Sequence, residues 1–230
     1  MNTFLELFLS VWLYLILGIG ILNGVFLYRN RKTWSLQRKL TSLAVIILVL
    51  HVWEEWRIPG GFFYLYNQGS YCYPMNQLTD MLTNLIGIVL GSIVALAWGG
   101  NTVSSIAVMF ISLFEIVVHC GILMLRTQGL FEGTGVSVYY DPGMVTALLG
   151  FLPVTIGFLY SFVKQRPRWK EWVFGIIALL IVIQTNVILP EEIFKDEETP
   201  YAFTDKGYYA QFDVTFPNDP SEGTETEEGL

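Results

Sequence analysis

The chain has 230 residues, of which 53% are hydrophobic, 15% aromatic and 14% charged, and its apolar residues run in long blocks rather than at amphipathic spacing. That composition defines a polytopic membrane protein of the all-α class and excludes an ordinary water-soluble domain. The formal charge of −7 implies no nucleic-acid partner, because twelve of the twenty acids lie in residues 190–230 and the rest of the chain is slightly basic.

A helix rises ~1.5 Å per residue and the hydrocarbon core is ~30 Å thick, so a span takes about 20 mostly apolar residues. Six stretches qualify, 4–28, 40–58, 76–99, 103–125, 143–163 and 171–189, and predict a bundle of six transmembrane helices over residues 1–189. The opening "MNTFLELF" has no basic leader region and no small-residue cleavage site follows, so the first stretch is expected to persist as a helix. Two connections are basic, "RNRKTWSLQRK" at 29–39 and "KQRPRWK" at 164–170, whereas 59–75 carries no charge. By the positive-inside rule the basic side is cytoplasmic, which places the chain in the cell membrane with both termini extracytoplasmic and the lipid bilayer as its first partner.

The second stretch ends in "HVWEEWRIPGGF". His51 lies about 10 Å below the outer end of its helix, and Glu54 and Glu55, at i+3 and i+4, share its face. The loop after it, "PGGFFYLYNQGSYCYP", reads as an interfacial aromatic belt, with a mobile lid as the alternative. The third stretch carries Asn76, Asp80 and Asn84 at successive i+4 positions, and Gly87 and Gly91 continue the stripe as helix-packing positions. Asp80 is equally placed to cap the helix start. The fourth contributes Ser112, Glu115 and His119 on one stripe, so that both histidines fall at similar depth. Tyr140, Asp141 and Pro142 mark the outer start of the fifth, with Pro142 suited to the first helical position. Gln184 and Asn186 end the sixth. Cys72 and Cys120 fall toward the same side, so one bridge is open to them, but two cysteines are too few for a disulfide framework or a thiolate zinc site. Residues 190–230 form an acidic extracytoplasmic tail with the composition of a disordered segment, in which "YYAQFDVTF" is the one candidate strand.

Every intramembrane ionisable group thus falls in the outer half. An unpaired carboxylate at the bilayer centre costs ~2.5–3.5 kcal/mol, so the groups must be paired, protonated, metal-bound or wetted. Three chemistries fit. His51 and His119 with Glu55, Asp80 and Glu115 can hold a divalent metal such as zinc, iron or manganese, leaving another carboxylate as general base. Alternatively His51, Glu54, Glu55, Glu115 and His119 act as metal-free acids and bases on a small hydrophobic or lipid-like substrate. In either case Trp53, Trp56, Asn84, Tyr140 and Asp141 are the expected substrate-side residues. The third is a binding or transport protein for a cation or amine. Against all three stands a bundle whose buried polar groups simply pair.

The residues also carry a resemblance. "HVWEEWRIPGGF" resembles the motif of the HXXEE family of integral membrane proteins, with His51, Glu54 and Glu55 on its three specified positions. Two further elements of that family, Asn-x-x-x-His and Tyr-Asn-Pro-Gly, correspond here to "EIVVH" at 115–119 and "YDPG" at 140–143. Glu115 and Asp141 depart from the pattern by replacing an amide with an acid. The resemblance covers roughly residues 40 to 160 and implies a membrane bundle with a polar site, but no activity. A shorter likeness, through His51, Glu55 and Trp56, is to the emopamil-binding sterol isomerases and is limited to chemical analogy.

Overall fold

Each of the six apolar blocks closes into a helix long and apolar enough to cross a bilayer. The structure is a computed structural model, and it describes residues 3–57, 77–127 and 140–194. The uncharged aromatic loop with Cys72, most of the glycine-rich loop, and the tail beyond 194 with its candidate strand lie outside the described residues. In chain order the helices are α1 (Thr3–Arg29), α2 (Leu36–Trp56), α3 (Gln77–Ile93, continued by a π-helical turn Val94–Trp98), α4 (Thr102–Thr127), α5 (Met144–Gln165) and α6 (Trp169–Ile183). A π-helical turn, Gln184–Ile188, and a last short helix, Leu189–Phe194, extend α6. No strand occurs among the described residues.

Local chemistry sets the ends. Ser35 Oγ accepts from the Arg38 backbone N–H at 3.3 Å and caps α2. Asn101 Oδ1 accepts from the Val103 N–H at 2.8 Å and caps α4, just after Gly100 has turned the chain with a φ of 103°. Arg38 reaches across to α3, where Nε donates to the Ala95 carbonyl at 3.1 Å and Nη2 to that of Leu96. A cation placed on the orphan carbonyls of a helix C-terminus is favoured by the helix dipole. At the start of α5 the structure departs from expectation: Pro142 is not the first helical residue. The helix begins at Met144, after Gly143 in a left-handed conformation with a φ of 98°.

Helix α2 is central and packs against α1, α3, α4 and α5, while α6 packs mainly on α4. Two apolar cores result. One joins α1, α2 and α3 through Trp12, Ile16, Val49, Trp56, Met81 and Ile88. The other joins α2, α4 and α5 through Ala44, Ile47, Ile106, Met109, Phe151 and Phe158. The small residues of α3 serve close packing as expected. A Cβ on Gly91 would lie 3.0 Å from Val45 Cγ2, and one on Gly87 3.1 Å from Asn186 Nδ2. The opposite faces expose large apolar side chains, among them Leu149, Val163 and Phe174, a surface suited to lipid.

Candidate metal centre

The C-terminal halves of α2 and α4 bring His51, Glu55, Glu115 and His119 together. His51 and His119 are buried, with rings in an edge-to-face arrangement and centroids 4.7 Å apart. Their Nε2 atoms face each other at 3.1 Å. Glu55 Oε1 lies 3.4 Å from His51 Nε2 and 3.5 Å from His119 Nε2, and Glu115 Oε2 lies 3.4 Å and 3.9 Å from the same two atoms. The helical period explains the pairing: Glu55 is i+4 from His51 and Glu115 is i−4 from His119, so each helix presents one imidazole and one carboxylate on a single stripe. Glu115 is the only one of the four with substantial exposure, its side chain being 20% accessible.

The far side of each ring decides what the near side can do. His119 Nδ1 bonds Asp141 Oδ2, and Asp141 is fully buried. An ionised carboxylate only accepts, so His119 is the donor. His51 Nδ1 meets Thr146 Oγ1 at 2.8 Å. The one hydroxyl proton of Thr146 is directed to Glu54 Oε2 at 2.6 Å or to the Gly143 carbonyl at 3.0 Å. Both are pure acceptors, so the hydroxyl accepts from His51, which donates from Nδ1. In their neutral forms both rings then leave Nε2 unprotonated, so that two lone pairs face each other at 3.1 Å in a buried site. A cation between them, a proton or a metal, removes that repulsion.

The donor spacing fits a metal. Nitrogen and oxygen ligands at ~2.0–2.1 Å from a tetrahedral zinc stand about 3.3–3.4 Å apart, and the edges here run from 3.1 to 3.5 Å within the trio His51, Glu55 and His119. Their donor atoms all lie within 4.8 Å of one another. Gly143 completes the wall: an ideal Cβ there would sit 2.6 Å from His51 Cε1 and closer still to His119 Cε1. Only glycine meets both the left-handed backbone and that contact.

The remaining predicted residues divide between this centre and its supports. Glu54 is turned away from it. Its carboxylate accepts from the Tyr140 hydroxyl at 2.6 Å, the Val145 N–H at 2.9 Å, the Thr146 N–H at 2.8 Å and the Thr146 hydroxyl, and so caps α5 from a neighbouring helix. Burial and the Glu54 carboxylate push the Tyr140 phenol above its ordinary range, which keeps it a donor. Asp80 is buried and accepts from Trp56 Nε1 at 2.7 Å, outside the donor trio, and Asn84 Nδ2 bonds the Asp80 backbone carbonyl. Trp56 also packs edge-on against Trp12. Trp53 faces α1, donating to the Leu13 carbonyl at 3.2 Å and stacking edge-on with Tyr14. Cys120, beside His119, is free. Two contributors are absent from the sequence reading: Thr146, and Phe151, whose ring meets that of His51 edge-on at 5.3 Å. Gly143 entered it only as the last residue of the YDPG element, although a glycine after Asp-Pro also signals a turn with positive φ.

Fold and site together define an all-helical membrane-type bundle with a buried two-histidine, carboxylate-rich cluster on its central helices. The family model of HXXEE, described as "Protein of unknown function with HXXEE motif", matches residues 42–158, half of the chain, and the protein belongs to this family. No curated protein and no solved structure matches the chain.

Proposed function

We propose that the protein is an intramembrane metalloenzyme of the zinc type, acting on the polar end of a small hydrophobic or lipid-like substrate. The observation that carries this reading is the pair of Nε2 atoms held 3.1 Å apart with Glu55 Oε1 at 3.4 and 3.5 Å from them. His51, His119 and Glu55 would hold the ion, with Glu115 next to them. Two imidazoles with carboxylate oxygen and room for a further partner match catalytic rather than closed structural sites. A divalent ion there supplies Lewis acidity toward a carbonyl or similar oxygen. Glu115, the exposed member, is placed to take a proton from an incoming hydroxyl or water. Asp141 fixes the tautomer and tilt of His119.

The substrate class follows from position. The cluster lies within spans apolar enough to cross a membrane, and an open apolar groove of about 390 Å³ between α2 and α5, lined by Leu43, Ile47, Leu50 and Leu149, reaches the network at Thr146. The basic connections at 29–39 and 164–170 support an orientation with the centre in the extracytoplasmic half and both termini on that side.

The test is turnover of lipid extracts by purified protein in detergent or nanodiscs, profiled by mass spectrometry before and after chelation. The reading expects a consumed species whose loss stops on chelation, resumes with added zinc, and is absent in His119→Ala. Turnover indifferent to chelation would replace the metal by acid/base chemistry of the same residues.

A further inference from the structure

The two histidines are supported unequally. His119 is backed directly by a carboxylate, Asp141. His51 is backed by a neutral hydroxyl, and behind that hydroxyl stands a carboxylate, Glu54, which Thr146 Oγ1 reaches at 2.6 Å. We propose that Glu54 acts on the metal centre through Thr146, so that each histidine has its own carboxylate, one direct and one relayed, and that Thr146 is the positioning residue of the second couple. This rests on the metal reading above and names what tunes it.

The physical case has three parts. First, Glu54 is held by four donors, so its carboxylate has little freedom to move off the Thr146 hydroxyl. Second, an acceptor-only partner commits the hydroxyl proton, which aims an oxygen lone pair at His51 Nδ1 and forces the tautomer with an open Nε2. A chain of this kind polarises along its length, so the charge on Glu54 strengthens the Nδ1–H bond and raises the basicity of Nε2. Third, Thr146 sits where the α5 backbone is anchored: its own N–H bonds Glu54 at 2.8 Å, and the π-helical turn Ala147–Phe151 that follows delivers Phe151 against the His51 ring. The two glutamates of the motif thus have different tasks. Glu55 faces the centre, while Glu54, one residue earlier and about 100° away around the helix, works from behind.

A purely structural Thr146 would lower stability without selectively affecting metal, so the deciding readout is affinity. Zinc binding to full-length protein in detergent is measured by competition with a chromophoric chelator, and cobalt substitution reports the ligand field. Thr146→Val removes the hydroxyl and is expected to weaken zinc about 10–100-fold and alter the cobalt spectrum, the range typical of lost outer-shell partners. Thr146→Ser restores the hydroxyl and is expected to stay within about threefold of wild type. Glu54→Gln provides a second variant should Thr146→Val fail to fold. Its amide can donate to Thr146 Oγ1, which frees the hydroxyl proton to turn toward His51 and favours the closed tautomer, so zinc weakens here too. Equal zinc affinity and an unchanged cobalt spectrum in Thr146→Val, or in Glu54→Gln if that variant decides, would overturn the relay while the metal reading stands. A wild type that takes up neither ion would overturn both.

Discussion

The two ends of α2 handle buried polarity in opposite ways. At the C-terminal end His51, Glu54, Glu55 and Trp56 bond to Thr146, Tyr140, His119 and Asp80 in a connected network of largely ionisable groups. At the N-terminal end the fully buried polar residues are neutral. Thr41 Oγ1 bonds the Gln37 carbonyl one turn back, Asn23 bonds Ser92 and the Ile19 carbonyl, and Gln37 Nε2, Ser105 Oγ and Ser161 Oγ have no partner among the described residues. Neutral hydroxyls and amides can be buried at modest cost with partial satisfaction, whereas ionisable groups require full partnering. Among the described residues, the network at the C-terminal end of α2 is therefore where stability has been committed to holding particular atoms in particular places.

The sharpest way to break the comparison is at Glu54. Glu54→Ala leaves two backbone N–H groups and two hydroxyls without their acceptor, and is expected to cost roughly 3–5 kcal/mol in detergent-monitored thermal unfolding. Gly143→Ala is expected next. Its left-handed backbone alone costs on the order of 1–3 kcal/mol, and the added methyl displaces both imidazoles, so zinc binding should fall further than stability does. Asp141→Asn keeps the shape but lets the amide present a donor to His119, and is expected to lower zinc affinity ~10–100-fold with little change in unfolding temperature. At the N-terminal end of α2, Gln37→Leu and Ser105→Ala remove polar atoms without a partner among the described residues and are expected to shift stability by less than about 1 kcal/mol in either direction, leaving zinc binding unchanged. Losses there as large as those at Glu54 would erase the contrast.

The six helices were legible because lipid imposes a length and an apolarity that sequence displays directly. The pairing of His51 with Glu55 and of Glu115 with His119 was legible from i+4 spacing, and the similar depth of the two histidines followed from helix rise. What periodicity could not separate was Glu54 from Glu55: i+3 and i+4 both suit the face of His51, and the position of the α5 N-terminus decides between them. Trp53 was expected on the substrate side, but the side that α1 covers is a matter of packing, not of motif. Asp80 lies on the predicted stripe of α3, yet its partner is Trp56 from another helix. Thr146 gave no sign, since a threonine in a first helical turn is ordinary, and its role arises only when Glu54 and His51 arrive on either side of it.

On the metal reading the two facing Nε2 atoms are there to share an ion. The most direct test of that claim is metal content of gently purified wild-type protein by inductively coupled plasma mass spectrometry, beside His51→Ala and His119→Ala variants shown to be folded. The account predicts about one ion per chain in the wild type, as one tetrahedral site requires, and loss of that ion in both variants. A wild type that holds no stoichiometric metal even after zinc is added back, or variants that keep it, would contradict the claim and leave a proton as the cation between the rings.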